Sequence, residues 1–472
     1  MSDSKQGGSV FITEAKGEDV VAVYVPKGVE DESQAVDAVF GALDGSTQSY
    51  RSVTTLGAFA LISKANIGLG VLSIPFVFQV LGIVPGIICI LVIQTMIGYA
   101  ATTIGPFKLN HPEVYGVADA GFVFGGRWTK EVLYGFFYMI CVIASSGAMV
   151  SLSAALNAMS SHAACTAIFI AAMAAVGLVL GAIPTLSRIT WIGWVGLASL
   201  MAALLTLTVS VGIQDRPADA PQPPASWIRE IKVWGDPTFE EAMAAVSSVL
   251  FAYSATPTYF NIVAEMRDPR GYNRAMLTSI ALITIIYLVL GGVVYAFCGQ
   301  YVSTPALGSA GPLMKKVCYG IATPALLGSL TIYLHLGAKH IFVRALHGSH
   351  HLTHPTRTHY IAWFSTVFGT TAIAYLFASA LPNFGSIIGF FGALTVPPNA
   401  LFPYPFMWWH DNWRFATPEE RTPRKRVLLC INIFIVVSGA FMTIAGLYGA
   451  GVELVKASAE RGPWSCADNS GN

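Results

Sequence analysis

Charge is what this 472-residue chain has least of. Asp, Glu, Lys and Arg make up 11% of it and hydrophobic residues 54%, against roughly 25% charged residues in ordinary soluble proteins. So few charges cannot cover the surface of soluble domains, which leaves one membrane-embedded unit. The net charge of +1 carries no message about acidic partners, and no basic patch for nucleic acid stands out. The glycines from Gly121 to Gly126 have no Lys-Ser/Thr after them, so they are not a phosphate loop, and no nucleophile elbow occurs. Seven cysteines are scattered without a CxxC pair, most of them inside apolar runs, where cysteine is a small buried hydrophobe. Cys298 and Cys318 flank one outer loop and are the candidate disulfide. No apolar run precedes residue 50, so no cleavable signal peptide is expected and the first apolar run acts as the membrane signal.

What the chain does have is apolar length. Eleven stretches, at about 55–80, 82–106, 131–156, 163–184, 188–213, 240–263, 273–298, 319–343, 359–381, 384–408 and 427–450, each approach the roughly 20 residues a membrane helix needs. Residues 1–50 mix Lys, Glu, Asp, Ser and Gly without helical periodicity and read as a flexible tail. Residues 51–450 are the transmembrane domain, and 451–472 a second tail. With the N-terminus inside, 18 Lys and Arg fall in inner segments and 7 in outer ones. That excess places the N-tail in the cytoplasm and the C-tail outside or in a lumen. The longest outer loop, Gln214 to Thr238, is either an ordered cap or a plain linker.

Two spans carry break signals. The first contains Asn66-Ile67-Gly68-Leu69-Gly70 after Lys64, with Pro75 a turn further on, and the sixth contains Tyr253-Ser254-Ala255-Thr256-Pro257. Glycine opens conformations closed to other residues and proline removes a backbone donor. Unwound backbone inside a membrane is tolerated only where it lines a cavity or is buried in protein. The freed N–H groups suit a carboxylate and the freed carbonyls an ammonium, so such a pair of breaks fits an amino acid zwitterion. Backbone around Asn66–Gly70 is expected to hold the carboxylate and Tyr253–Thr256 the ammonium. Interrupted segments in corresponding positions of two halves point to a transporter's midplane site. Close helix packing at Gly68 and Gly70 with a kink at Pro257 is the structural alternative. Phe251, Tyr253, Tyr259 and Phe260 are candidates to shape a side-chain pocket, or plain packing residues.

The Lys-x-Asn-x-Gly-x-Gly-x-Leu-x-x-Pro spacing from Lys64 to Pro75 resembles the first-helix pattern of the amino acid/auxin permease family. Asn261-Ile262-Val263-Ala264-Glu265-Met266 followed by Asp268-Pro269 resembles the end of that family's sixth helix. The likeness spans about residues 50 to 450 and is greatest to fungal neutral amino acid permeases of the methyltryptophan-resistance type. It implies an all-α membrane protein of eleven transmembrane helices with a leucine-transporter-like inverted repeat, helices 1–5 and 6–10, and a peripheral helix 11. It also implies proton-coupled uptake of neutral amino acids at the plasma membrane, with the vacuolar membrane as the other possibility, and no enzymatic activity or cofactor. Ser254-Ala255-Thr256 departs from the Gly-His found in many relatives, so the likeness leaves the preferred amino acid open. Oligomeric state is open too.

Ionisable groups deep in the bilayer are functional hypotheses by default. Lys64 and Glu265 lie at similar inner depths on the two interrupted spans and form a candidate gate bridge; alternatively Lys64 snorkels to the surface. His335, in the eighth span, is the candidate coupling group, because imidazole titrates near pH 6.5. Sodium coupling through Ser329 and Thr331 is the competing account. Histidines cluster after the eighth span, and His347-Gly-Ser-His350-His351 has the HxxHH form of a membrane di-iron desaturase. No second or third such box exists elsewhere in the chain, so a hydrophilic loop is the plainer reading. A non-transporting amino acid sensor with the same fold is the remaining alternative.

Overall fold

The computed structural model describes residues 36–37, 41–42, 53–183, 186–221, 226–346, 349, 351, 354, 356–381, 384–460 and 462–470. The chain divides into two units, Met1–Tyr50 and Arg51–Asn472. In the first, two antiparallel two-residue strands are described, β1 (Val36–Asp37) and β2 (Gly41–Ala42). The expectation of a flexible tail otherwise falls outside the described residues.

The second unit is helical. Its helices are α1 (Thr55–Asn66), α2 (Ile74–Leu81), α3 (Ile83–Ala101), α4 (Ile104–Asn110), α5 (Val117–Ser160), α6 (Thr166–Gly181) and α7 (Leu186–Ile213). Then come α8 (Phe239–Ala252), α9 (Tyr259–Ala264), α10 (Tyr272–Cys298), α11 (Pro312–Ala345), α12 (Arg357–Ala380), α13 (Phe384–Val396), α14 (Pro403–Trp409) and α15 (Pro423–Glu460). Among the described residues, eight helical stretches are long and apolar enough to cross a membrane, and nine if the bent pair α1–α2 is one span. The expected eleven is reached only by adding α6, which is 16 residues long, and the interrupted pair α8–α9.

Helix ends follow local chemistry. Thr54 opens α1 by accepting a hydrogen bond from Gly57 N–H at 3.1 Å. Thr238 and Glu241 form a capping box at the start of α8, with Glu240 and Glu241 in the first turn, where acidic groups complement the helix dipole. α5 runs for 44 residues but bends at Gly126, whose φ of +76° favours glycine. The bend separates a first helical segment, Val117–Gly125, from the third span, so Gly121 and Gly125 belong to helix and Gly126 makes the bend.

Burial sorts the helices into centre and edge. The most apolar window of α5 is 89% buried, and that of α15 only 17%, so α5 is central and α15 peripheral. Exposed apolar side chains such as Val179, Ile213, Phe368 and Ile444 face outward, where hydrocarbon rather than water is their natural solvent. α15 also continues to Glu460, ten residues beyond the expected end of the transmembrane domain at 450.

The loop from Gln214 to Thr238 is a cap over its described part: Ile83 N–H donates to Lys232 O (3.1 Å), Gly235 N–H to Leu81 O (2.8 Å) and Lys232 N–H to the Tyr295 hydroxyl (2.9 Å). Cys298 and Cys318 are both free and buried, which corrects the expected pairing. The disulfide joins Cys165, at the start of α6, to Cys466, 301 residues away. Around it the C-terminal segment settles on the helix ends. Thr166 donates to Ala467 O at 2.6 Å, Asn157 to Asn469 Oδ1 at 2.8 Å, and Asn469 to Ser153 Oγ at 2.8 Å.

Candidate functional site

Both break signals correspond to interruptions of helix. α1 ends at Asn66, a tight turn occupies Leu69–Ser73, and α2 resumes at Ile74 with the axis bent by 44°. α8 ends at Ala252, Thr256–Thr258 form a 3-10 turn behind Tyr253-Ser254-Ala255, and α9 starts at Tyr259. The breaks lie side by side. A Cβ on Gly70 would overlap Ala252 Cα and come within 3.0 Å of Ala252 N, so the backbones are in contact where only hydrogen fits. Gly68 is different: its φ is −143°, and the nearest atom to an added Cβ is Ala65 O at 4.0 Å.

Three tyrosines from different elements tie the breaks together. The Tyr287 hydroxyl, from α10, lies 3.0 Å from Asn66 O and 2.8 Å from Ala252 O. These are the last carbonyls of α1 and α8, the two half-helix C-termini, where the helix dipole is negative. Tyr259 accepts a hydrogen bond from Asn66 Nδ2 at 2.6 Å, linking the sides directly. Tyr253 packs edge-on against Tyr287, centroids 5.3 Å apart, and its hydroxyl lies 2.9 Å from Thr284 Oγ1. All three are fully buried, and a buried phenol needs such partners.

Other freed carbonyls are met by nearby hydroxyls. Ser73 donates to Gly70 O at 2.8 Å, Thr256 to Tyr253 O at 2.9 Å and Thr258 to Ala255 O at 2.7 Å. Asn66 Oδ1 is the exception, a buried acceptor with no hydrogen-bond partner. Ile67, Leu69, Ala255 and Thr256 are buried, while Ser254 is half-buried. α13 reaches the Leu69–Ser73 turn, and the π-helical turn Pro397–Leu401 that follows α13 reaches the Thr256–Thr258 turn. Such turns recur at functional sites.

The remaining expected site residues are elsewhere. Lys64 and Glu265 are each half-buried, but no ion pair joins them. The Tyr115 hydroxyl donates to the Glu265 carboxylate at 3.3 Å instead, so the expected gate bridge is replaced by a neutral donor from the loop between α4 and α5. Close by, the chain entering α1 is fastened through its backbone: Val53 N–H donates to Glu265 O at 3.1 Å and Arg267 N–H to Val53 O at 2.9 Å. His335 is fully buried against Trp363, ring centroids 5.3 Å apart, near the backbone of Gly181 and Ile183 but without a well-formed hydrogen bond. It therefore faces α6 and α12 and is not among the groups that meet at the breaks. Thr331 donates to Leu327 O of its own helix at 2.8 Å. His347 and His350 of the HxxHH stretch lie outside the described residues, and the imidazole of His351 pairs with Thr356 Oγ1 at 2.9 Å.

Tyr287 was not singled out from the sequence. Its signal was a phenol in the middle of a long apolar run, whose hydroxyl had to find a buried partner.

Known proteins share this sequence over most of its length. A protein called transmembrane transporter from Fusarium pseudograminearum is 30% identical over 459 residues, covering 96% of this chain and 94% of that one. Another of the same description, from Gibberella moniliformis, is 31% identical over 426 residues, covering 89% of each. An N amino acid transport system protein from Neurospora crassa is 29% identical over 412 residues, covering 85% of each. Residues 51–449 match the family described as transmembrane amino acid transporter protein, so the span that holds both interrupted helices, and nearly the whole chain with it, belongs to that family.

Proposed function

We propose that this protein takes up neutral amino acids by proton symport, binding the zwitterion between the two helix breaks. The carrying observation is that two half-helix C-termini, ending at Asn66 O and Ala252 O, are drawn together under one hydroxyl, that of Tyr287. Their negative dipole ends, with the unpartnered Asn66 Oδ1, form a seat for an ammonium group. The turn that begins at Leu69 starts the outer half of the first span, so its N–H groups offer the complementary seat for a carboxylate. Recognition of both charged ends by backbone leaves side-chain choice to Thr256 and the neighbouring aromatics.

The sites at Asn66–Gly70 and Tyr253–Thr256 therefore act as one. Alternating access follows if the interrupted spans move against the rest, as in transporters built from two inverted repeats with helices 1–5 and 6–10. Val53, hydrogen-bonded to Glu265 and Arg267, would have to separate from them when the cytoplasmic side opens. The proposed location is the plasma membrane with a cytoplasmic N-terminus, in keeping with the distribution of Lys and Arg. The relative named an amino acid transport system protein supports the substrate class.

The test is uptake of radiolabelled amino acids into cells lacking their own permeases, at several pH values, with and without sodium. Saturable uptake of aliphatic or aromatic amino acids, stimulated by external acid and indifferent to sodium, is the expected result. No uptake at verified surface expression would favour a sensor, and a sodium requirement would overturn the coupling.

A further inference from the structure

A second cluster of polar side chains is separate from the groups that meet at the breaks. His111 follows the last residue of α4, while His410 and Asp411 follow α14, 300 residues later in the chain. His111 Nε2 and His410 Nδ1 both lie 2.9 Å from the same oxygen, Asp411 Oδ1. The three ligand-type atoms are all within 4.8 Å of one another. Their side chains are only 10–19% exposed.

We propose that His111, His410 and Asp411 form a binding site for a zinc-class divalent cation that fastens the end of α4 to the end of α14.

Two imidazoles and one carboxylate make a donor set that suits zinc, with water completing four ligands. Zinc bonds of about 2.0–2.1 Å in a tetrahedron hold ligand atoms roughly 3.3 Å apart. The two 2.9 Å pairs would open by only a few tenths of an ångström to admit the ion. The surroundings already orient the ligands. Asn110 Nδ2 donates to Asp411 Oδ2 at 2.9 Å, which leaves Oδ1 turned to the histidines. Glu113 Oε1 sits 3.6 Å from His111 Nδ1, on the side where the ring proton must go once Nε2 is a ligand. A carboxylate behind a metal-bound imidazole is the usual supporting partner. The Phe107 ring lies tilted against that of His111 at 4.3 Å, and the Phe415 ring stands edge-on to that of His410 at 5.5 Å, so each imidazole packs against a phenylalanine.

The site would act as a fastener. α4 continues from α3, the second span, and α14 ends the tenth, so a bound ion would join two spans that otherwise meet through side-chain contacts. Full-length protein is purified without a polyhistidine tag, stripped with EDTA, and titrated with zinc chloride by calorimetry. The background is a variant in which His351 and His354, before α12, and His359, in its first turn, are changed to Gln. One zinc equivalent is expected in both proteins, with affinity falling at least about 100-fold in His111→Gln and in His410→Gln. Zinc should raise the thermal unfolding midpoint of the unmodified protein and leave those variants unmoved. Cobalt(II) should give the visible absorption of a tetrahedral ion, absent from Asp411→Asn, which serves if a histidine variant does not fold. Equal zinc affinity in the two histidine variants and the unmodified protein, or zinc binding that disappears in the background variant itself, would overturn the site.

Discussion

One hydroxyl, that of Tyr287, reaches the terminal carbonyls of two different helices, Asn66 O at 3.0 Å and Ala252 O at 2.8 Å. A phenol has one proton, so it can satisfy these acceptors only by sharing or alternating. Asn66 O also takes the Gly68 N–H at 2.8 Å, so the acceptor capacity left for a ligand ammonium is at Ala252 O and at the unpartnered Asn66 Oδ1.

Tyr287→Phe removes that donor while keeping the ring that packs against Tyr253. The hydroxyl holds the two carbonyl ends in one place, so without it we expect KM for uptake to rise about tenfold, about 1.4 kcal/mol, with the protein still reaching the membrane. An unchanged KM at equal surface level would separate Tyr287 from the substrate.

Gly70 and Gly68 should behave differently. Gly70→Ala places a carbon against the Ala252 backbone and is expected to lower the yield or thermal midpoint of folded protein. A Cβ at Gly68 meets only Ala65 O at 4.0 Å, so Gly68→Ala should reach the membrane at normal level and lose uptake because its side chain enters the space expected for the carboxylate. Normal uptake by Gly68→Ala would remove that position from the site.

The disulfide offers a test of orientation. If Cys165 and Cys466 are on the outer face, a membrane-impermeant maleimide should label them in intact cells only after mild reduction. Labelling that requires permeabilisation would invert the topology. Cys466→Ser should also free the segment that pairs with Asn157 and Thr166 and destabilise the protein by roughly 2–5 kcal/mol, the usual cost of losing a native bridge.

Coupling is tested at His335. Its position against Trp363 and away from the breaks means that any role in proton transfer acts through helix α11 rather than by contact with substrate. His335→Gln should lose the acid stimulation of uptake between pH 5 and pH 8. A variant that keeps the wild-type profile would pass the coupling role to another group.

Apolar length located the spans but not all their ends, since α15, expected at about 427–450, runs from Pro423 to Glu460. α10, expected at about 273–298, runs from Tyr272 to Cys298. The breaks were legible too, since Gly68, Gly70 and Pro257 disfavour continuous helix. What joins the breaks was not, because Tyr287 acts across space from a helix with no local irregularity. Pairing errors had the same origin. Cys298 and Cys318 are close in sequence, whereas Cys165 finds Cys466 only through the fold. Lys64 and Glu265 share a depth, yet Tyr115, on a loop with no periodic signal, takes the carboxylate.

The central claim is that backbone at the two breaks reads both ends of a zwitterion. Its most direct measurement is competition against uptake of a labelled neutral amino acid by three unlabelled compounds: the same amino acid, its decarboxylated amine and its N-acetyl derivative. The account predicts that only the intact amino acid competes at concentrations near its KM, with the other two weaker by about 100-fold or more, since each forfeits one charge-assisted set of hydrogen bonds. Equal competition by the amine or by the N-acetyl compound would contradict it.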